Sequence, residues 1–125
     1  MKRYLILFLL SVVAMACDPV SEEPPHFVEK QKTVLVYMVA NNNLSSQAVN
    51  NLESMKKGYV PAEDNLLVYM HLPSSNPLLL RLDRNGEGAV AQDTVYRFPP
   101  QNSAQTKSLA SVLNVSRTMF PAQEY

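Results

Sequence analysis

Thr33 to Gly58 reads TVLVYMVANNNLSSQAVNNLESMKKG, and the change of period inside it decides the fold. Thr33 to Ala40 carries no charge and is built from Val, Leu, Tyr37 and Met38. A short, continuous apolar run rich in β-branched residues suits a strand covered on both faces, as in a parallel sheet. The run stops at Asn41, Asn42 and Asn43. Asn tolerates left-handed backbone angles and caps helices, so this triplet predicts a strand-to-helix turn. Leu44, Ala48, Leu52 and Met55 then recur at helical spacing and predict one apolar stripe on a helix over 44–57. Lys56 and Lys57 sit where cations complement the helix dipole, and Gly58 suits the left-handed position that ends a helix.

Downstream, Asn65 to Leu72 (NLLVYMHL) repeats the character of the first strand. Strand, helix and strand at these lengths make a βαβ unit with parallel strands. His71 falls at the carboxyl end of the second strand, the edge at which open α/β sheets bind ligands. A histidine simply hydrogen-bonded at the rim is the simpler reading, since no acid or thiol neighbours it in sequence. After the turn cluster Pro73 to Pro77, Leu78 to Asp83 and Ala89 to Phe98 flank Asn85-Gly86, a strong hairpin signal. Pro99-Pro100 breaks the run, and Asn102 or Ser103 can cap a second helix. Its stripe reads Leu109, Val112, Leu113, Ser116 and Phe120, with one polar gap, and Pro121 stops it. Another parallel strand is expected near Tyr125.

Upstream, Lys2 and Arg3 precede an apolar run, Tyr4 to Ala14, of signal-peptide length and too short to span a bilayer comfortably. It ends in Ala14-Met15-Ala16-Cys17. Small residues before a Cys resemble the lipobox of bacterial lipoprotein signals, in which cleavage precedes the Cys and the thiol is acylated. Residues 1–17 are thus expected to be a signal and Cys17 the lipidation site. Acylation would place the protein in the bacterial cell envelope, at the outer membrane or cell surface, with the membrane as a partner. Residues 18–32, DPVSEEPPHFVEKQK, read as a Pro-rich tether, and 33–125 as the folded part. His26 lies in the tether without a second ligand at metal spacing.

The 11 basic and 11 acidic side chains balance, so the basic excess of a nucleic-acid binder is missing and no nucleic-acid partner is expected. No Gly-rich phosphate loop follows the first strand, no His pair stands at metal spacing, and no cofactor is expected. Cys17 is the one Cys, so no intrachain disulfide can form and, once acylated, no thiol remains for catalysis or metal binding. Ser45 and Ser46 offer hydroxyls at a helix start, and a small hydrolase using either with His71 is one reading to be tested. The sequons at Asn43 and Asn114 carry no weight in a chain with a bacterial signal.

The segments KTVLVYMVANNNLSSQAVNNLESMKKG, NLLVYMHLP, LLLRLD and NSAQTKSLASVLNVSRTMFPAQEY, in this order, resemble the amino-terminal part of clostripain-like cysteine peptidases. The resemblance covers most of Thr33 to Tyr125. It implies an α/β fold: an incomplete caspase-like three-layer sandwich with parallel core strands and a β-hairpin. It also implies cleavage of peptide bonds after basic residues. In that family the catalytic His comes from a His-Gly turn after the strand following F-P-A-x-x-Y, and the Cys from the end of the next strand. Neither motif occurs here, so no catalytic residue carries over, and the chain is expected to be inactive alone. It would be either a truncated gene product or half of a split enzyme whose partner is a carboxy-terminal peptidase half. In related caspase-like enzymes an Asn ending the first strand orients the catalytic His, a part open to Asn41, Asn42 or Asn43; turn-making is the simpler role. The competing reading is a free-standing, lipid-anchored binding or structural module of the envelope.

Overall fold

A computed structural model describes residues 28–60 and 64–125. Cys17, His26, the signal segment and most of the tether lie outside the described residues. Five strands and two helices follow in the order β1 (Lys30–Val39), α1 (Ser45–Gly58), β2 (Asp64–His71), β3 (Leu78–Arg84), β4 (Val90–Arg97), α2 (Thr106–Met119) and β5 (Ala122–Glu124). They form one sheet in the order β4-β3-β2-β1-β5. β1 pairs in parallel with β2, from Lys32 opposite Asp64 to Val39 opposite His71. β3 runs antiparallel to β2, and β4 antiparallel to β3.

Alternation along the strands divides the core between two faces, because successive side chains point to opposite sides of a sheet. Leu67, Tyr69 and Leu79 turn to one face and meet Val112 and Phe120 of α2 and its flank. Val68, Met70, Leu80 and Leu82 turn to the other and meet Leu52 of α1. β2 is therefore covered on both sides; Leu67, Val68 and Tyr69 expose no surface. That burial explains why its sequence is a continuous apolar run rather than an alternating one. The three-layer sandwich expected from the sequence is present, with β1 and β2 as its parallel centre.

Several local expectations are revised. β1 begins at Lys30 rather than Thr33, because Lys30 and Lys32 pair with Ala122 and Glu124 of β5, a partner that local sequence does not reveal. The hairpin forms, but Gly88, with φ of 81°, takes the left-handed position rather than Asn85-Gly86. The Asn85 side chain accepts from the N–H groups of Glu87 and Ala89, at 3.0 Å each, and shapes the loop that way. α2 buries Val112, Ser116 and Phe120 of its expected stripe, but not its two leucines. Ser108, Val112 and Ser116 face inward, while Leu109 and Leu113 are 38% and 44% exposed. Ser108 and Ser116 are buried beside Val112, and the leucines are left at the side of the helix.

Neither helix has a side-chain cap at its first turn. The Asn residues act one step earlier. Asn42 Oδ1 accepts from the Leu44 N–H at 2.9 Å, and Asn102 Oδ1 from the Ala104 N–H at 3.0 Å. Such Asx turns aim the chain into the helix. At the far end of the sheet, Asn65 donates to Thr33 Oγ1 (3.0 Å), which donates to the Phe120 carbonyl (3.1 Å). This buried relay joins β2, β1 and the end of α2.

Candidate functional site

The carboxyl ends of β1 and β2 hold the polar side chains that the sheet gathers. His71 shares a face with Leu67 and Tyr69, by the two-residue period, so it points to the side of α2. There its Nδ1 lies 2.6 Å from Ser103 Oγ. Ser103 Oγ is also 2.5 Å from the Tyr69 hydroxyl, which accepts from Gln101 Nε2 at 3.1 Å. The Tyr37 hydroxyl donates to the Ser103 carbonyl at 2.9 Å. In one arrangement Tyr69 donates to Ser103 Oγ and Ser103 donates to His71 Nδ1, which gives each hydroxyl an acceptor.

The rings beneath this cluster are packed with defined geometry. Tyr37 and Tyr69 stack, with centroids 4.3 Å apart and planes within 5°. Phe98 meets Tyr69 edge-on at 5.4 Å. Burial and the neighbouring Tyr69 phenol push the Tyr37 hydroxyl up to about 12, against the pull of its bond to Ser103. Tyr59, after α1, is also raised, first by burial and then by the carboxylates of Asp83 and Asp64, with Arg81 opposing.

This cluster is a lock rather than a nucleophilic site. Ser103 is 3% exposed and held on both sides, so no substrate carbonyl can reach its oxygen. The pairing of His71 with Ser45 or Ser46 does not occur: both serines open α1, which covers the opposite face. His71 instead meets Ser103, which the sequence reading takes for a helix cap. The parity of His71 with Tyr69 was the available signal that it would face α2; nothing local marks Ser103 as its partner. Asn41, Asn42 and Asn43 are exposed just beyond β1. Among the described residues no group of His, Cys, Asp and Glu could hold a metal ion, and no helix is long and apolar enough to cross a membrane.

A second feature runs beside β1. Leu35 and Tyr37 from the strand, Leu109, Leu113 and Ser116 from α2, and Tyr125 enclose an open groove of about 470 Å³. Arg117, also in its lining, lies over the Tyr125 ring at 4.8 Å. Across the sheet, Met38, Val39, Ala40, Leu44 and Ala48, with the polar Gln47 and Asn51, outline a smaller notch of about 190 Å³ between β1 and α1.

Comparison with known proteins places this architecture. The clostripain family profile matches residues 36–125, well over half of the chain. A solved cysteine protease chain from B. fragilis is 38% identical, with a TM-score of 0.70, over 76% of this chain and 82% of that one. A secreted C11 cysteine protease from Bacteroides thetaiotaomicron, solved with an irreversible peptide inhibitor, is 35% identical with a TM-score of 0.68, over 76% of this chain and 27% of its own. An inactive zymogen C11 protease from Parabacteroides distasonis is 26% identical with a TM-score of 0.70, over 78% of this chain and 29% of that one. The chain thus spans under a third of the length of the last two. No curated protein sequence matches significantly. The sheet and its two helix layers are those of caspase-like cysteine peptidases. The chain belongs to the clostripain family.

Proposed function

We propose that this chain is the amino-terminal part of a lipid-anchored clostripain-type endopeptidase that cleaves after basic residues and is silent until a carboxy-terminal segment supplies the catalytic His and Cys. Family membership carries the reading, because the family's chemistry needs a Cys and a His at strand ends. The 125 residues contain no His-Gly pair, and their one Cys is Cys17, at the end of the signal-like segment. The scaffold side of the site is supported by the carboxyl edge of β1 and β2, where Asn41, Asn42 and Asn43 stand exposed and can orient an incoming imidazole. Cys17, following Ala14-Met15-Ala16, supports the anchor and a cell-envelope location.

The test is hydrolysis of a fluorogenic arginyl peptide by the purified full chain, alone and with a polypeptide corresponding to the unmatched remainder of the secreted Bacteroides thetaiotaomicron C11 protease, of which this chain covers 27%. No turnover alone and turnover with the second polypeptide is the expected result. Hydrolysis by the chain alone overturns the reading, as does a failure of the second polypeptide to produce any.

A further inference from the structure

Gln101, Tyr69, Ser103 and His71 form one chain of side-chain hydrogen bonds, and each member can stand in it in two ways. Gln101 Nε2 is 3.1 Å from the Tyr69 hydroxyl, that hydroxyl 2.5 Å from Ser103 Oγ, and Ser103 Oγ 2.6 Å from His71 Nδ1. A hydroxyl both donates and accepts, a neutral imidazole nitrogen does one or the other, and an amide turned over exchanges donor for acceptor. Two directions are therefore complete. In the first, Gln101 donates to Tyr69, Tyr69 to Ser103 and Ser103 to His71, so Nδ1 is bare and the ring proton sits on Nε2. In the second, His71 Nδ1–H donates to Ser103, Ser103 to Tyr69, and Tyr69 to the amide oxygen of a turned-over Gln101, so Nε2 is bare. A mixed order leaves one link with two protons or with none. The middle of the chain is sealed, since Tyr69 and Ser103 are buried, while Gln101 and His71 at its ends are half-buried.

We propose that Gln101 is a positioning residue for His71: its amide sets the direction of the chain and so fixes which imidazole nitrogen carries the proton at the carboxyl edge of the sheet. Gln101 turns its nitrogen to Tyr69, which selects the first direction. Nδ1 faces inward to Ser103, so Nε2 is the outward nitrogen of the ring, and in this direction it is an N–H donor. Among the described residues no carboxylate bonds to His71 to fix its tautomer by another route. A bond between Ser103 and His71 alone would fasten β2 to the entry of α2 whichever way its proton pointed. Tyr69 and Gln101 make that direction a property of the whole chain. His71 stands opposite Val39, and its carbonyl accepts from the Ala40 N–H at 2.9 Å, directly before Asn41. The inference rests on the proposed function for the use of that edge, where an outward N–H suits a main-chain carbonyl of a bound peptide.

The test is nitrogen NMR of the full chain with isotope-labelled histidine, at a pH where the imidazole is neutral. The signals of His71 are told from those of His26 by their loss in His71→Gln. The wild type is expected to show a bare Nδ1 and a protonated Nε2. Gln101→Glu puts a group that only accepts at the end of the chain and forces the second direction. The two nitrogens should then exchange character, the Nδ1–H form gaining by about tenfold or more, the scale of one charge-assisted hydrogen bond. Ser103→Ala cuts the chain, and in that background Gln101→Glu should change nothing; Tyr69→Phe cuts it one link earlier and replaces Ser103→Ala if that variant does not fold. A protonated Nδ1 in the wild type overturns the proposal. So does an unchanged tautomer in Gln101→Glu, or the same exchange with the chain cut, since the carboxylate would then act through space. No turnover enters the measurement. An unchanged tautomer together with turnover by the paired polypeptides removes the role of Gln101 alone; an exchanged tautomer without turnover removes the peptidase reading alone.

Discussion

Ser103 shows how one buried hydroxyl can organise a whole strand edge. It joins the end of β2 to the entry of α2 through Tyr69 and His71, while its carbonyl holds Tyr37 on β1. Ser103→Ala removes the shared oxygen and strands the Tyr69 hydroxyl, so it should cost about 1–3 kcal/mol in urea unfolding. A change within error would mean that the cluster is not a lock. Tyr37 gives a pH test. Its folded value is raised above the ordinary 10.0, to about 12. Between those values the unfolded chain ionises and the folded one resists, so the unfolded state binds fewer protons and stability falls as pH rises. The contribution is complete below pH 10 and lost on approach to pH 12. The stability difference between wild type and Tyr37→Phe should therefore shrink across that window. The ring is only half-buried, so solvent screening keeps the effect small. A difference that stays constant with pH would remove the burial explanation.

At the scale of elements, the two helices separate what sequence can and cannot say. α1 was legible because Ala48 and Leu52 belong to its one apolar stripe and are the residues it buries. α2 was legible in extent and in part of its inner face: Val112 and Ser116 of the expected stripe are buried, Ser108 joins them, and Leu109 and Leu113 do not. Periodicity reports which residues share a face. It cannot report which side chains at the border of that face are buried. The pair Val112 and Leu113 tests this directly. Val112→Ala should destabilise by about 1–3 kcal/mol through its lost burial and the cavity left behind. Leu113→Ala should change unfolding of the chain alone by less than about 0.5 kcal/mol. Equal costs would indicate that this division of the helix is wrong. β5 was legible only as a strand expected near Tyr125, because three residues carry no period and its pairing with Lys30 depends on a partner distant in sequence.

Across the whole molecule, the apolar runs of β1 and β2 fixed the layered class in advance, since only a sheet covered on both faces explains two uncharged runs of this kind. The candidate site was less legible. His71 could be placed at a strand end, but its hydroxyl partner lies 32 positions away. The reactive groups of the family could not be assigned to any residue. Attachment to a membrane is a property of the whole chain, and Cys17 is its proposed point. Radiolabelled palmitate should mark the wild type and leave Cys17→Ser unlabelled. Equal incorporation by both would remove the anchor.

The pairing of Lys30 with Ala122 has a kinetic consequence. β2, β3 and β4 form a meander of near neighbours, whereas this contact spans almost the full described chain. Closing a longer loop costs more entropy before any contact rewards it, so the meander can assemble first and the two ends meet late. A newly made polypeptide thus passes through an interval with a built centre and a bare flank. Joining of the ends then covers the first part of that flank, at Lys30 and Lys32.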